Sequence, residues 1–507
     1  MAVAFGAIMV GSSTVALFGG FGNPKNTAQT TDTTITGTPA DNYKDKDRPT
    51  FCETSDAKSN KYITEFKIPT ACTQPLGITT DSDGNVWFTE SNTGKIAKFD
   101  PSTKNFTEYT NPLWQSHEKS MMWGIGHAPD GNIWYTDSGH DLIWKFSPTD
   151  KKYANFNYPT TPGQSESFPQ MIVINGKEIL VNDFVGRKIT SFNVDQVGST
   201  IDYSTIHSPG NYNFTSDMAV DSNGKIWYTV WIYQQGGNLV RYDPQTGNKT
   251  QFTLPPGILA PNGISVEKDG KIWITDTASS IFFSFDQQSQ QFTKFITSMP
   301  PESTYGNASG LIKTPISRLY WSQIDDKGRM WFNEQVANSI GVFDPIKGSL
   351  VEYLVPSKNP NWSDCGYIHD CGVAQVLDFT TNDDKVWFTE WVENNIGVLD
   401  PNAPLAMDVS VTPTDIISHR GDNSTISFTI TPNEQIVDPV TLVTSNTANT
   451  NDIIVSGNHQ VTMTNQPKTV SINISVDNFA LTGTYKVLIG ARYHEVTISK
   501  YVTVTIK

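Results

Sequence analysis

One phrase returns seven times along this chain, and its spacing limits what the chain can fold into. Val86-Trp87-Phe88-Thr89-Glu90 recurs as Ile133-Trp134-Tyr135-Thr136-Asp137, Ile179-Leu180-Val181-Asn182-Asp183 and Ile226-Trp227-Tyr228-Thr229-Val230. It returns again as Ile272-Trp273-Ile274-Thr275-Asp276, Met330-Trp331-Phe332-Asn333-Glu334 and Val386-Trp387-Phe388-Thr389-Glu390. Counted between Trp87, Trp134, Leu180, Trp227, Trp273, Trp331 and Trp387, the steps are 47, 46, 47, 46, 58 and 56 residues. A period of this length with strand-like alternation and no helical pattern marks a propeller blade. The fold class expected is all-β: a seven-bladed β-propeller.

Each unit reads as four short strands. In the first, Gly77-Ile78-Thr79-Thr80 is strand a, Asp83-Gly84 a tight turn and Asn85 to Thr89 strand b. Lys95 to Phe99 is strand c, stopped by Asp100-Pro101, and Phe106 to Tyr109 is strand d. The seventh unit has no strand d of its own, because Asn395 to Asp400-Pro401 is not followed by one. A d-type stretch, Tyr62 to Pro69, instead precedes the first unit. Pairing it with the seventh unit closes the ring and leaves no open edge. The propeller is therefore expected over residues 51–403.

Flanking composition differs. Residues 1–22 carry no charge and suit a signal peptide or a membrane anchor, for which about 20 apolar residues suffice. Residues 23–50 are polar and read as a disordered linker. After Pro404 the period disappears, and alternating strands such as Thr425–Ile430, Thr469–Val476 and Tyr501–Ile506 suggest a β-sandwich over 404–507. Leu481-Thr482-Gly483-Thr484-Tyr485 resembles the penultimate hairpin of Ig-like modules. Such modules serve as spacers or docking surfaces.

The 4 cysteines, Cys52, Cys72, Cys365 and Cys371, allow three connectivities. In an exported protein Cys52–Cys72 would staple the closing strand and Cys365–Cys371 the loop into the seventh unit. His369, between the second pair, raises a metal site as the other reading. Sequons at Asn105, Asn213, Asn248, Asn307, Asn361, Asn423 and Asn473 agree with a surface glycoprotein. The net charge of −15 without a basic run argues against nucleic acid. The location expected is extracytoplasmic, secreted or anchored by residues 1–22.

The repeat also allows one ring of positions to be read around the molecule. Strand b ends on Glu90, Asp137, Asp183, Val230, Asp276, Glu334 and Glu390, acidic in all units but one. Opposite them stand Leu76, Trp123, Gln170, Ser216, Asn262, Tyr320 and, within a residue, Val376. Six carboxylates at one mouth either bind a divalent cation such as Mg²⁺ or Ca²⁺, become partly protonated, or are neutralised by backbone donors. Trp123, Asn262, Tyr320 and Trp391 are the candidate ligand mouth, and His117 and His369 are loop histidines that could reach it. There is no Gly-x-Ser-x-Gly, His-Glu-x-x-His or phosphate-loop motif.

Pro75-Leu76-Gly77-Ile78, the Trp-Phe-Thr-Glu phrases at 87–90 and 387–390, the Ile-x-x-Phe-Asp-Pro strands and Ile63 to Pro69 carry a family resemblance. Over residues 62–401 the chain resembles virginiamycin B (streptogramin) lyases, within the wider group of gluconolactonase-like (SMP-30) propellers. The resemblance implies elimination on a cyclic depsipeptide ester, with a general-base histidine and Mg²⁺ held near a glutamate. It places those histidines in the sixth and seventh units and a tyrosine in the first. Here the three places hold Tyr320, about Val376 and Leu76, whereas the glutamate has counterparts in Glu334 and Glu390. The function expected is a non-catalytic binding or surface-scaffold protein, its partner a cell-envelope protein or glycan. The alternative is a metal-dependent lyase or lactone/ester hydrolase acting on a small cyclic ester.

Overall fold

The computed structural model describes residues 52–116, 120–161, 167–233, 235–306, 315–382, 384–449, 451–457 and 459–507. The segments read as a leader or anchor and a linker, together with His117 and Asn307, lie outside the described residues. Among those described, no helix is long and apolar enough to cross a membrane.

Strands are laid down in antiparallel fours. The first unit comprises Pro75–Thr80, Val86–Glu90, Lys95–Asp100 and Asn105–Tyr109. Five further units begin at Ile125, Pro169, Phe214, Pro261 and Leu319. The last holds Val376–Asn382, Lys385–Glu390 and Asn395–Leu399. Its fourth strand is Ile63–Lys67, paired from Ile63↔Leu399 to Lys67↔Asn395. The first strand of each unit lies against the first strands of two others, and this order returns from the seventh unit to the first.

The repeated phrase is buried at every position rather than at alternate ones. Its strand is covered on both faces, so its polar side chain needs a partner inside the protein. That need explains the Thr or Asn at the fourth place. Thr89, Thr136, Asn182, Thr229, Thr275, Asn333 and Thr389 donate to the carbonyls of Met122, Gln170, Thr215, Pro261, Tyr320, Val376 and Leu76. Each bond spans 2.6–3.1 Å, each ends on the next unit, and the last returns to the first. Thr89, Thr136, Asn182 and Asn333 also accept from an amide of the partner strand, as where Gly77 N meets Thr89 Oγ1 at 2.9 Å.

The phrase tryptophan is tethered in the same recurrent way. Trp87, Trp227 and Trp331 donate their indole N–H to Asp81, Asp221 and Asp325 at 2.8–2.9 Å. Those carboxylates also accept the turn amides, so one aspartate fixes the turn and aims the ring (for example Asn85 N to Asp81, 2.9 Å). Both cysteine pairs are disulfide-bonded, Cys52–Cys72 and Cys365–Cys371.

Beyond residue 404 two further sheets form. One contains Met407–Thr412, Asn423–Pro432, Lys468–Val476 and Ile453–Ser456. The other contains Val496–Ile506, Gly483–Tyr493, Val440–Asn446 and Gln460–Val461, with Asp415–Ser418 parallel to its last strand. Val496–Ile506 also pairs with the outer strand of the sixth unit, from Ser349↔Lys500 to Tyr353↔Val496. The sixth unit and this sheet are thereby one nine-stranded sheet. A spacer or a docking surface was the expectation for this module; here its last strand covers an edge strand of the sixth unit by pairing, one way of protecting an edge. Tyr501 seals the junction: it packs edge-on against Phe295 and Phe343 and donates to Ile296 O at 2.7 Å.

Candidate binding face of the ring

Strand pairing shifts the ring of facing residues read from sequence. Glu90 lies opposite Pro75, Asp183 opposite Pro169, Val230 opposite Thr215, Asp276 opposite Pro261 and Glu334 opposite Leu319. One residue later each first strand bulges: Pro75 and Ile78 flank a stretch whose partners, Glu90 and Phe88, are only two apart. Leu76, Gln170, Ser216, Asn262 and Tyr320 sit inside this bulge, where one extra residue re-aims the side chain. In the seventh unit Val376 is the residue opposite Glu390, so the equivalent position is Leu377, a correction of one. A two-residue period hides such an insertion.

The bulge residues are buried. Trp123 is stacked on Tyr320 at 6.3 Å and meets Trp321 edge-on at 5.9 Å. These residues come from the second and sixth units, which are not neighbours, so the contact crosses the ring. Trp391, the fourth mouth residue expected, packs against Trp362 at 5.3 Å in the same apolar cluster, which also takes in Phe184, Phe214 and Trp231. Asn262 is 2% exposed.

The six strand-end acids are all fully buried and are held separately. Asp276 accepts from the amides of Leu259 and Ala260 and from Ser279 Oγ. Asp183 accepts from Phe168 N and Gly186 N and faces Lys188 Nζ at 3.5 Å; burial pushes its carboxyl up to about 6. Asp137 Oδ2 meets His140 Nδ1 at 2.8 Å, and the hydrogen bond to Asp137 raises the imidazole above its ordinary value.

Three units use a second carboxyl instead. Glu90 neighbours Glu108, Glu334 neighbours Glu352 and Glu390 neighbours Glu65, each partner standing on that unit's outer strand. Burial pushes Glu90 up to about 8 and lifts Glu334 and Glu390 well above the usual carboxylate range. Two like charges this close do not both ionise, so such a pair holds a proton. Glu65 in turn accepts from Ser357 N at 2.9 Å, which ties the closing strand to the sixth-to-seventh connection.

Of the two readings of the acidic ring, a bound cation or separate neutralisation, the hydrogen bonds to Asp183 and Asp276 agree with the second. Among the described residues no group of three or more His, Cys, Asp or Glu is placed to hold a metal ion. Glu334 and Glu390, which the resemblance would put beside Mg²⁺, are bound up in carboxyl pairs. As arranged they do not form the open oxygen shell that Mg²⁺ or Ca²⁺ requires. His369 is exposed on the disulfide loop. His140 was missed; its only trace in sequence is its place three residues after the strand-end Asp137. Asp217 and Asp378 were missed as well. They occupy the place where other units have Gly77, Gly124 or Gly263, and burial raises Asp217 to about 7 and Asp378 well above its ordinary value. Asp378 also accepts from Ile78 N at 3.0 Å, an additional tie between the seventh and first units.

Comparison with known proteins supports the propeller. The model of the virginiamycin B lyase family matches residues 54–283. A solved streptogramin B lyase is 22% identical, covers 67% of this chain and 97% of its own, and gives a TM-score of 0.52. Virginiamycin B lyase from Staphylococcus aureus is 20% identical, with 68% and 99% covered and a TM-score of 0.52. At this identity the likeness shows the fold. A search of curated proteins found no match.

Proposed function

We propose that this chain, which carries a virginiamycin B lyase-like propeller, is an extracytoplasmic binding or surface-scaffold protein whose ligand face is the bulged end of the ring. We read the seven four-stranded units as seven blades and the C-terminal pair of sheets as an Ig-like module. The observation that carries the proposal is the make-up of the bulge positions: Leu76, Trp123, Gln170, Ser216, Asn262, Tyr320 and Leu377 include no histidine and no carboxylate. Aromatic and amide side chains supply contact area and hydrogen bonds without a proton acceptor for elimination. Two disulfides, and sequons whose described asparagines reach the surface, support an oxidising compartment outside the cytoplasm.

The test runs binding and turnover in parallel. Purified protein is incubated with isolated cell-envelope material and, separately, with cyclic depsipeptides and lactones. Saturable retention on the envelope, with no ester opened beyond the uncatalysed rate, supports a binding role. Multiple turnovers of any ester, abolished in a Tyr320→Phe or His140→Ala variant, would replace it with the lyase or hydrolase reading.

A further inference from the structure

The residue two places before the bulge position has left-handed backbone in three units: Gln74 (φ 52°), Arg318 (φ 56°) and Gln375 (φ 61°). Side chains other than glycine adopt this region rarely, and sites that hold it are often functional. The repeat provides its own comparison. Two units place an uncharged glutamine here; the sixth places a guanidinium. Gln375 is engaged by Gln335.

Arg318 is 1% exposed, and neither its Nε nor its Nη2 has a hydrogen-bond partner among the described residues. A guanidinium stays charged in proteins, and a buried charge is normally matched by an opposite one. Among the described residues, the groups that interact with it are the phenols of Tyr320 and Tyr233, neither of them a carboxylate. The polar atoms around Tyr320 add to the imbalance. The indole N–H groups of Trp123 and Trp321, both packed against the Tyr320 ring, also have no acceptor among the described residues. Against these donors stand, among the described residues, the unpartnered Asn262 Oδ1 and Gln335 Oε1, the latter on a residue whose amide donates to Arg318 O at 2.9 Å. A cluster with more unpartnered donors than acceptors and one unmatched positive charge is completed by a ligand that accepts and carries negative charge.

We propose that Arg318 anchors an anionic group, a carboxylate, sulfate or phosphate, on the ligand taken at the ring face, with the indole N–H groups beside Tyr320 as neutral donors. This deepens the binding-face reading and rests on it. Trp123 and Tyr320 close the centre, so the anion enters only when the rings part, and tryptophan fluorescence reports its entry.

The full chain is titrated with sodium acetate, sulfate and inorganic phosphate, each against sodium fluoride of matching ionic strength, following tryptophan fluorescence and melting temperature. At least one anion is expected to change both saturably in the wild type. Arg318→Met is expected to melt no lower than wild type without anion and to lose at least tenfold in apparent affinity. No saturable response in the wild type overturns the proposal, and so does an unchanged response in Arg318→Met. If Arg318→Met does not fold, Arg318→Lys keeps the charge but loses the planar fork: a weaker response supports the anchor and an equal one removes it. Envelope material that binds wild type and Arg318→Met equally leaves the binding face standing and the anion anchor refuted.

Discussion

A single hydroxyl at the fourth place of the phrase joins neighbouring units: Thr89 and Thr136 accept within their own unit and donate to the next. Thr389 is the informative copy, because its bond to Leu76 O joins the end of the repeat to its beginning. Thr389→Val keeps the shape and strands a buried carbonyl, a loss of about 1–3 kcal/mol. The expected outcome is a lower denaturant midpoint with an unchanged slope; a midpoint equal to wild type would mean that this bond adds nothing to closure. Thr93, which caps the Glu90 side chain at 2.9 Å, offers a contrast of the same chemistry on a turn within one unit. Thr93→Val is expected to cost less than Thr389→Val, measured the same way.

Elements were more legible than their joins. The phrase and its punctuation reveal four strands per unit, and the displaced d-type stretch at 62–69 reveals the partner of Asn395–Leu399. The bulge was hidden because one inserted residue leaves the hydrophobic pattern intact, which moved Val376 into a place that Leu377 occupies. The carboxyl pairs were hidden too: nothing in the alternation of the outer strands marks Glu65, Glu108 and Glu352, yet Glu65 and Glu352 are 5% exposed. Strand addition by Val496–Ile506 has no sequence signature, since any alternating strand can take an edge. Two predictions follow from these joins. Removing residues 52–69 strips the closing strand and bares the edge at Asn395–Leu399; the product is expected to elute as aggregate in size-exclusion chromatography, and a well-behaved monomer would contradict the closure. Tyr501→Ala removes a buried ring from the junction and is expected to cost about 3 kcal/mol in chemical unfolding. A second, separate unfolding transition for the C-terminal module is expected in that variant, because the two parts then share less surface.

Taken whole, the molecule buries more carboxyl groups than it neutralises with cations, and this sets how its stability depends on pH. Glu90 is raised from 4.5 to about 8, Asp183 from 3.8 to about 6 and Asp217 from 3.8 to about 7, each chiefly by burial. A carboxyl raised on folding binds its proton more tightly in the native state, so unfolding releases protons and stability falls as pH rises between the two values. His140, raised by Asp137, acts in the same direction: its contribution is present below about 6.5 and is lost as pH climbs through its folded value. The turn aspartates oppose this at the acid end. Asp81 and Asp325 are lowered, though burial, the largest influence on each, pulls upward; hydrogen bonds from Trp87 and Trp331 outweigh it together with the turn amides. Their contribution is lost as pH falls below about 3.8. The maximum is therefore expected near pH 5, with the melting temperature declining steadily from there to pH 8. Glu90→Gln separates this account from a general charge effect. An amide needs no proton to remain neutral, so the variant is expected to match wild type near pH 4.5 and to melt roughly 2–4 °C higher at pH 8. A variant less stable than wild type at pH 8 would show that the Glu90 carboxylate is stabilised when ionised, by Thr93 and the nearby Lys95, and that this pair holds no proton there.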